Sequence, residues 1–153
     1  MSEVNTNFNP APIQRLLKMK INKQTIAIPI VNIRDILVLS KVTKVPLAPD
    51  TIIGLINLRG RIVTAINIKN LLKMDDTSIC ENSMNVVIEI KNDLYSIIAD
   101  SVEEVISITE NEILPKPDSI EQHWHNIATG IILGKDELIV VIDIKKLFDL
   151  LLT

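Results

Sequence analysis

His123 and His125 flank Trp124 and are the only two histidines of the chain. Two apart on an extended segment, such imidazoles point the same way and could ligate zinc, as in a metal-dependent hydrolase. Zinc wants three or four ligands, and Cys80 is the only further thiol or imidazole. The segment reads instead as a surface loop whose Trp124 docks on the protein body. Cys80 lies in the polar stretch from Asp75 to Asn85 and reads as an incidental thiol. A lone cysteine excludes an intrachain disulfide, and no other nucleophile–base pair is available. Gly54, Gly60, Gly130 and Gly134 match no phosphate-binding loop. No catalytic residue, metal site or cofactor is therefore read from the sequence. Arg59 is different. It sits beside Gly60 between two apolar runs, and its planar five-donor fork can hold a partner's carboxylate or carbonyls. The alternative is a guanidinium merely exposed at a hairpin end.

The elements that position these groups come from a duplicated pattern. Ile26-Ala27-Ile28 returns as Tyr95-Ser96-Ile97, and Ile36-Leu37 as Val105-Ile106. Gly54, Ile66, Ile68 and Lys69 return as Gly130, Ile142, Ile144 and Lys145. One small fold is built twice, and whatever the copies do not share is a candidate for function. Asn57-Leu58-Arg59-Gly60 is unshared, since its counterpart is Leu133-Gly134-Lys135-Asp136.

The chain has 153 residues, and each repeat alone is too small for a secure core. The halves are expected to fold as one unit. Hydrophobic residues make up 47%, which suits a globular body. A net charge of −3 and 3% aromatics offer neither a basic surface nor stacking platforms for nucleic acid. No apolar run reaches the roughly 18 residues of a membrane span, and a cytosolic setting is expected.

Residues 1–13 read as a flexible tail. Leu17, Met19 and Ile21 alternate with Lys18, Lys20 and Asn22, the mark of a half-buried strand. Asn22-Lys23-Gln24 turns into a partner strand, Thr25 to Ile30, in which Pro29 lacks a ladder donor and tends to end the pairing. Ile33, Ile36 and Leu37, set against Arg34 and Asp35, predict a short helix. Val102, Val105 and Ile106, set against Glu103 and Glu104, predict its copy, the charges forming solvated faces. Strands follow near 52–58 and 61–68, 86–90 and 94–99, and 129–133 and 137–142. Asp143, the counterpart of Asn67, is expected to organise a turn. Ile144 to Leu152 suits a C-terminal amphipathic helix. Many short strands at even spacing point to all-β barrels, one per copy. The first lobe is placed at roughly 14–80 and the second at roughly 85–153, with strands exchanged at the boundary as an option.

Gly54 to Val63, preceded by Val45-Pro46-Leu47-Ala48-Pro49, resembles the signature of CheW-type chemotaxis coupling proteins. So do Ile26 to Ile36, Ile98 to Val105 and Ile139 to Leu147, and the likeness runs from about Leu16 to Leu150. Where that family usually has Pro-Val-Ile-Asp, this chain has Thr64-Ala65-Ile66-Asn67, and its first strand lacks the customary aromatic residue. The resemblance implies two five-stranded SH3-like barrels side by side and no enzymatic activity. It implies an adaptor linking transmembrane methyl-accepting chemoreceptors to a histidine autokinase, recruited to receptor arrays at the inner face of the membrane. A CheW-like adaptor of a non-flagellar pathway is the variant reading. Carried over position by position, the receptor-binding residues are Ile33, Asp35, Gly54, Asn57, Leu58 and Arg59. Kinase-contact residues stay unassigned. A polar start at Met1 and an end just after a helix are expected of a free-standing protein rather than a piece of the kinase.

Overall fold

The computed structural model describes residues 12–38 and 42–152. Most of the expected tail, 1–13, lies outside the described residues, and Ile13 already belongs to a strand. The chain runs β1 (Ile13–Ile21), β2 (Gln24–Pro29), β3 (Ile33–Val38), β4 (Ile52–Leu58) and β5 (Arg61–Ile66), then a helical turn α1 (Ile68–Leu71). It continues through β6 (Met84–Ile90), β7 (Asp93–Ala99), β8 (Ser101–Thr109), α2 (Gln122–His125), β9 (Ala128–Leu133) and β10 (Leu138–Ile142). A C-terminal helix, α3 (Ile144–Leu152), follows.

The strands form two five-stranded sheets, ordered β8-β1-β2-β10-β9 and β3-β6-β7-β5-β4. These are the two barrels. They do not follow the two halves of the chain. By the repeat correspondence, β1 to β5 match β6 to β10 in order. The first barrel therefore combines β1 and β2 of one repeat with the last three strands of the other. The second barrel does the reverse. Parallel pairing of β2 with β10 and of β5 with β7 joins the repeats, while the remaining ladders are antiparallel. The chain crosses between barrels at the 3-10 turn Ile30–Asn32 and, in the second copy, at Asp100. Asp100 is pinned there by the Lys69 ammonium at 2.8 Å and by the Asn22 amide at 2.5 Å.

Burial follows this exchange. Each barrel has its own small core, Leu16, Ile108, Ile132 and Ile139 in the first and Ile56, Val63, Val87 and Leu94 in the second. The largest cluster lies between them, where Met19, Ile21, Ile26, Ile88, Ile97, Val140 and Ile142 meet Trp124 and Leu147. α3 covers that seam with Ile144, Leu147 and Phe148. Asn67 and Asp143 each accept hydrogen bonds from two backbone amides at the start of α1 and α3, as the turn expectation requires.

The expected short helices at Ile33–Leu37 and Val102–Ile106 are strands. Each carries a register shift against its neighbour, between Ile33 and Asp35 and between Met19 and Leu17 opposite Val102 and Val105. A bulge adds one residue and changes which face the chain presents. The apolar spacing then stretches from two to three and imitates a helical stripe. The helical turns lie outside these stretches, at Ile30–Asn32 and Glu110–Glu112.

Candidate functional site

The β4–β5 hairpin closes on the pair Leu58 and Arg61, leaving Arg59 and Gly60 as its two-residue loop. Their φ values, +51° and +83°, have the signs of a type I′ turn, whose twist matches the flanking strands. For Arg59 that left-handed backbone costs about 1 kcal/mol. The Asn57 carboxamide oxygen accepts the Gly60 amide at 3.0 Å and braces the turn from below. The Arg59 side chain is 81% exposed.

Among the described residues its ion-pair partner is Asp35. The bulge in β3 sets Ile33 opposite Ile88 but Asp35 opposite Val87, so Ile33 packs on the inter-barrel cluster and Asp35 turns to the mouth of the second barrel. There Asp35 Oδ2 lies 3.3 Å from Arg59 Nη1, while Oδ1 accepts the Ile36 amide at 2.9 Å. β3 and β4 are the two edges of the second sheet, and the ion pair spans the line where it closes on itself. Asp35 is only 21% exposed and its Oδ2 is buried without a hydrogen bond, but the solvated Arg59 end keeps the pair's contribution to stability at about 0–1 kcal/mol. Beside it, Glu89 holds Arg34 at 3.0 Å and Arg61 at 3.9 Å, and Arg61 also donates to the Asn92 carbonyl at 3.2 Å.

Asp35, Asn57 and Arg59 thus come together. The other expected site residues do not join them as one wall. Leu58 is half-buried and packs on the core of the second barrel, whereas Ile33 packs between the barrels. Gly54 is buried, and a β-carbon there would come 2.3 Å from the Thr43 carbonyl oxygen. Gly130, its repeat partner, would meet the Leu114 carbonyl oxygen at 2.4 Å. Both glycines let a loop pair closely with the strand, through Thr43–Leu55 and Leu114–Ile131. The close approach at Gly54 is therefore taken by the chain's own backbone. Arg34, Arg61 and Glu89 were not legible as a cluster, because their pairing depends on strand register.

The mouth of the first barrel is built otherwise. Lys18, buried there, donates to Glu137 at 2.6 Å and Glu104 at 2.9 Å, with Glu103 at 3.7 Å. Thr25 donates to the other Glu137 oxygen at 2.7 Å. Bonds from Lys18 and then Thr25 hold the Glu137 carboxyl below the usual carboxylate range. Bonds to Glu137 and then Glu104 push the Lys18 ammonium well above its ordinary value. Glu103 and Glu104 are thus partners of a lysine on a strand rather than a helix, with Glu104 still 68% exposed.

The histidine pair is a further correction. Residues 122–125 form the helical turn α2, where side chains two apart diverge by about 200°. Trp124 is fully buried in the inter-barrel core, and His123 tilts against its ring at 5.3 Å. Among the described residues no group of three or more His, Cys, Asp or Glu could hold a metal. Nor, among them, is any helix long and apolar enough to cross a membrane.

Two five-stranded barrels agree with the comparisons. The family model of the CheW-like domain matches residues 15–151. The chain belongs to the CheW-like domain family. It is 28% identical to the chemotaxis protein CheW of Klebsiella aerogenes over 134 residues, covering 88% of this chain and 81% of that protein. It is also 28% identical to CheW of Thermotoga maritima over 136 residues, covering 88% and 87%. The crystal structure of the scaffolding protein TtCheW from Thermoanaerobacter tengcongensis superposes with a TM-score of 0.75 at 27% identity, covering 86% of this chain and 89% of that one.

Proposed function

We propose that this protein is a non-catalytic adaptor that couples the cytoplasmic tip of a transmembrane chemoreceptor to the regulatory domain of a histidine autokinase. It would work at receptor arrays on the inner face of the membrane. Family membership supports the adaptor role, and the observation that carries the site is the exposed Arg59, presented by a tight turn and steered by Asp35. A receptor tip is a helical hairpin, and docking one needs apolar contact plus a few orienting polar groups. Arg59 supplies orientation through its donor fork, and Asp35 gives that fork a resting position from which a partner's acceptor displaces it. Asn57, Leu58, Ile33 and Gly54 are proposed to support this surface from behind, Asn57 through the turn and the other three through the packing that sets β3 and β4. Arg59→Glu tests the assignment. Binding of a soluble chemoreceptor-tip fragment should weaken about thirtyfold, near 2 kcal/mol, with the melting temperature almost unchanged. An unaltered dissociation constant in titration calorimetry would take Arg59 out of the site.

A further inference from the structure

We propose that Asn57 acts as a positioning residue, bracing the turn that presents Arg59 and touching no partner itself. This rests on the reading of Arg59 as a receptor-binding group. An L-residue resists the φ of +51° that Arg59 adopts. A turn of this kind is steadied by residues tolerant of that backbone or by an added bond; the β6–β7 turn holds Lys91 at a φ of +49° beside a tolerant Asn92, with no side-chain acceptor for its amides among the described residues. Gly60 meets the first condition and Arg59 does not. The bond from the Gly60 amide to Asn57 Oδ1, at 3.0 Å, meets the second. It ties the residue before the closing pair to the residue after Arg59, so the arginine backbone is held inside a hydrogen-bonded ring. From there the guanidinium reaches Asp35 at 3.3 Å across the barrel seam.

The second copy supplies an internal control. Leu133 stands at the position of Asn57 and has no side-chain acceptor. The matching loop residues, Lys135 and Asp136, are not among those with positive φ, and that loop closes through the Gly134 amide on the Glu137 carbonyl at 2.8 Å. Bracing acceptor and left-handed cation occur together in one hairpin and are both missing from its counterpart. Short polar side chains commonly hold local turns in this way.

A double-mutant cycle on the full-length chain separates positioning from direct contact. The probe is a soluble fragment of a chemoreceptor's cytoplasmic hairpin tip. Asn57→Ala should weaken binding about fivefold and Arg59→Ala about tenfold. The double variant should bind no more weakly than Arg59→Ala alone, because a brace has nothing left to present. Losses that multiply would mean that Asn57 meets the partner itself and would overturn the proposal. So would wild-type affinity for Asn57→Ala while Arg59→Ala is weakened. Wild-type affinity for Arg59→Ala is the distinct result that removes the underlying site. Asn57→Asp keeps an acceptor at the same place and should hold affinity within about twofold. Gly60 amide exchange should quicken in Asn57→Ala and not in Asn57→Asp, and an aspartate variant as weak as alanine would also refute the brace.

Discussion

The two barrel mouths occupy equivalent places in the repeat but treat charge in opposite ways. Lys18, Thr25, Glu104 and Glu137 in the first barrel become Val87, Leu94, Asp35 and Arg61 in the second. Lys20 and Glu103 become Glu89 and Arg34, so the sign inverts at three positions. In the first mouth a buried ammonium is saturated by carboxylates. In the second that cation is gone, an apolar pair fills its space, and three arginines stand at the rim with side-chain exposures of 50%, 81% and 56% for Arg34, Arg59 and Arg61. The lesson is that a buried network finishes a structure, whereas the same fold with its centre made apolar leaves charge available at the edge.

The largest expected effect concerns what the mouths share. Gly54→Ala and Gly130→Ala should each destabilise by about 3 kcal/mol, since either β-carbon meets a backbone carbonyl that cannot step aside. Urea unfolding of the two variants checks this, and a much smaller loss at one site would show that the lobes are not built alike. Next comes Lys18→Met, which strands Glu104 and Glu137 and should cost about 2 kcal/mol, discounted from a fully buried pair because the glutamates keep contact with water. Asp35→Ala, at the other mouth, should change stability by no more than about 0.5 kcal/mol. Equal losses would erase the contrast.

Acidity sharpens it further. Glu137 has a depressed pKa, so its contribution is present above the unfolded value of about 4.3 and is lost as pH falls through the folded one. Lys18 is raised, so its contribution is complete below about 10.4 and is lost only at higher pH. Denaturant midpoints should therefore be flat between these limits on account of this network. The acid limb should become shallower in Lys18→Met. An effect of opposite sign is expected of Arg59→Gly, which should raise stability by about 0.5–1 kcal/mol by relieving the left-handed backbone, while weakening receptor binding. A gain in both would refute the view that the turn stores strain for presentation.

Alternation and turn residues made eight of the ten strands and the C-terminal helix legible, β3 and β8 being the exceptions, and the duplication made the twofold plan legible. Periodicity reports which face a residue takes but not which strand it pairs with, so an exchange of strands stood as an option without the strands it involves. The bulges at Arg34 and at Glu103 to Glu104 broke the alternation and gave false helices. Arg59 was legible because its repeat partner differs. Its tie to Asp35 follows from barrel closure, which brings together residues far apart in sequence, and the Lys18 network was hidden for the same reason. The docking of Trp124 was legible, but not the helical turn that carries it and parts His123 from His125.

The traded strands also bear on how such a molecule could have begun. One repeat by itself holds two strands of one barrel and three of the other, and can complete neither. A forebear carrying one copy could have closed its barrels only by pairing with its twin, each lending a hairpin to its sibling. Within a single chain the two copies need not match, and this one carries Arg59 in one hairpin and Lys135 at the equivalent place in the other.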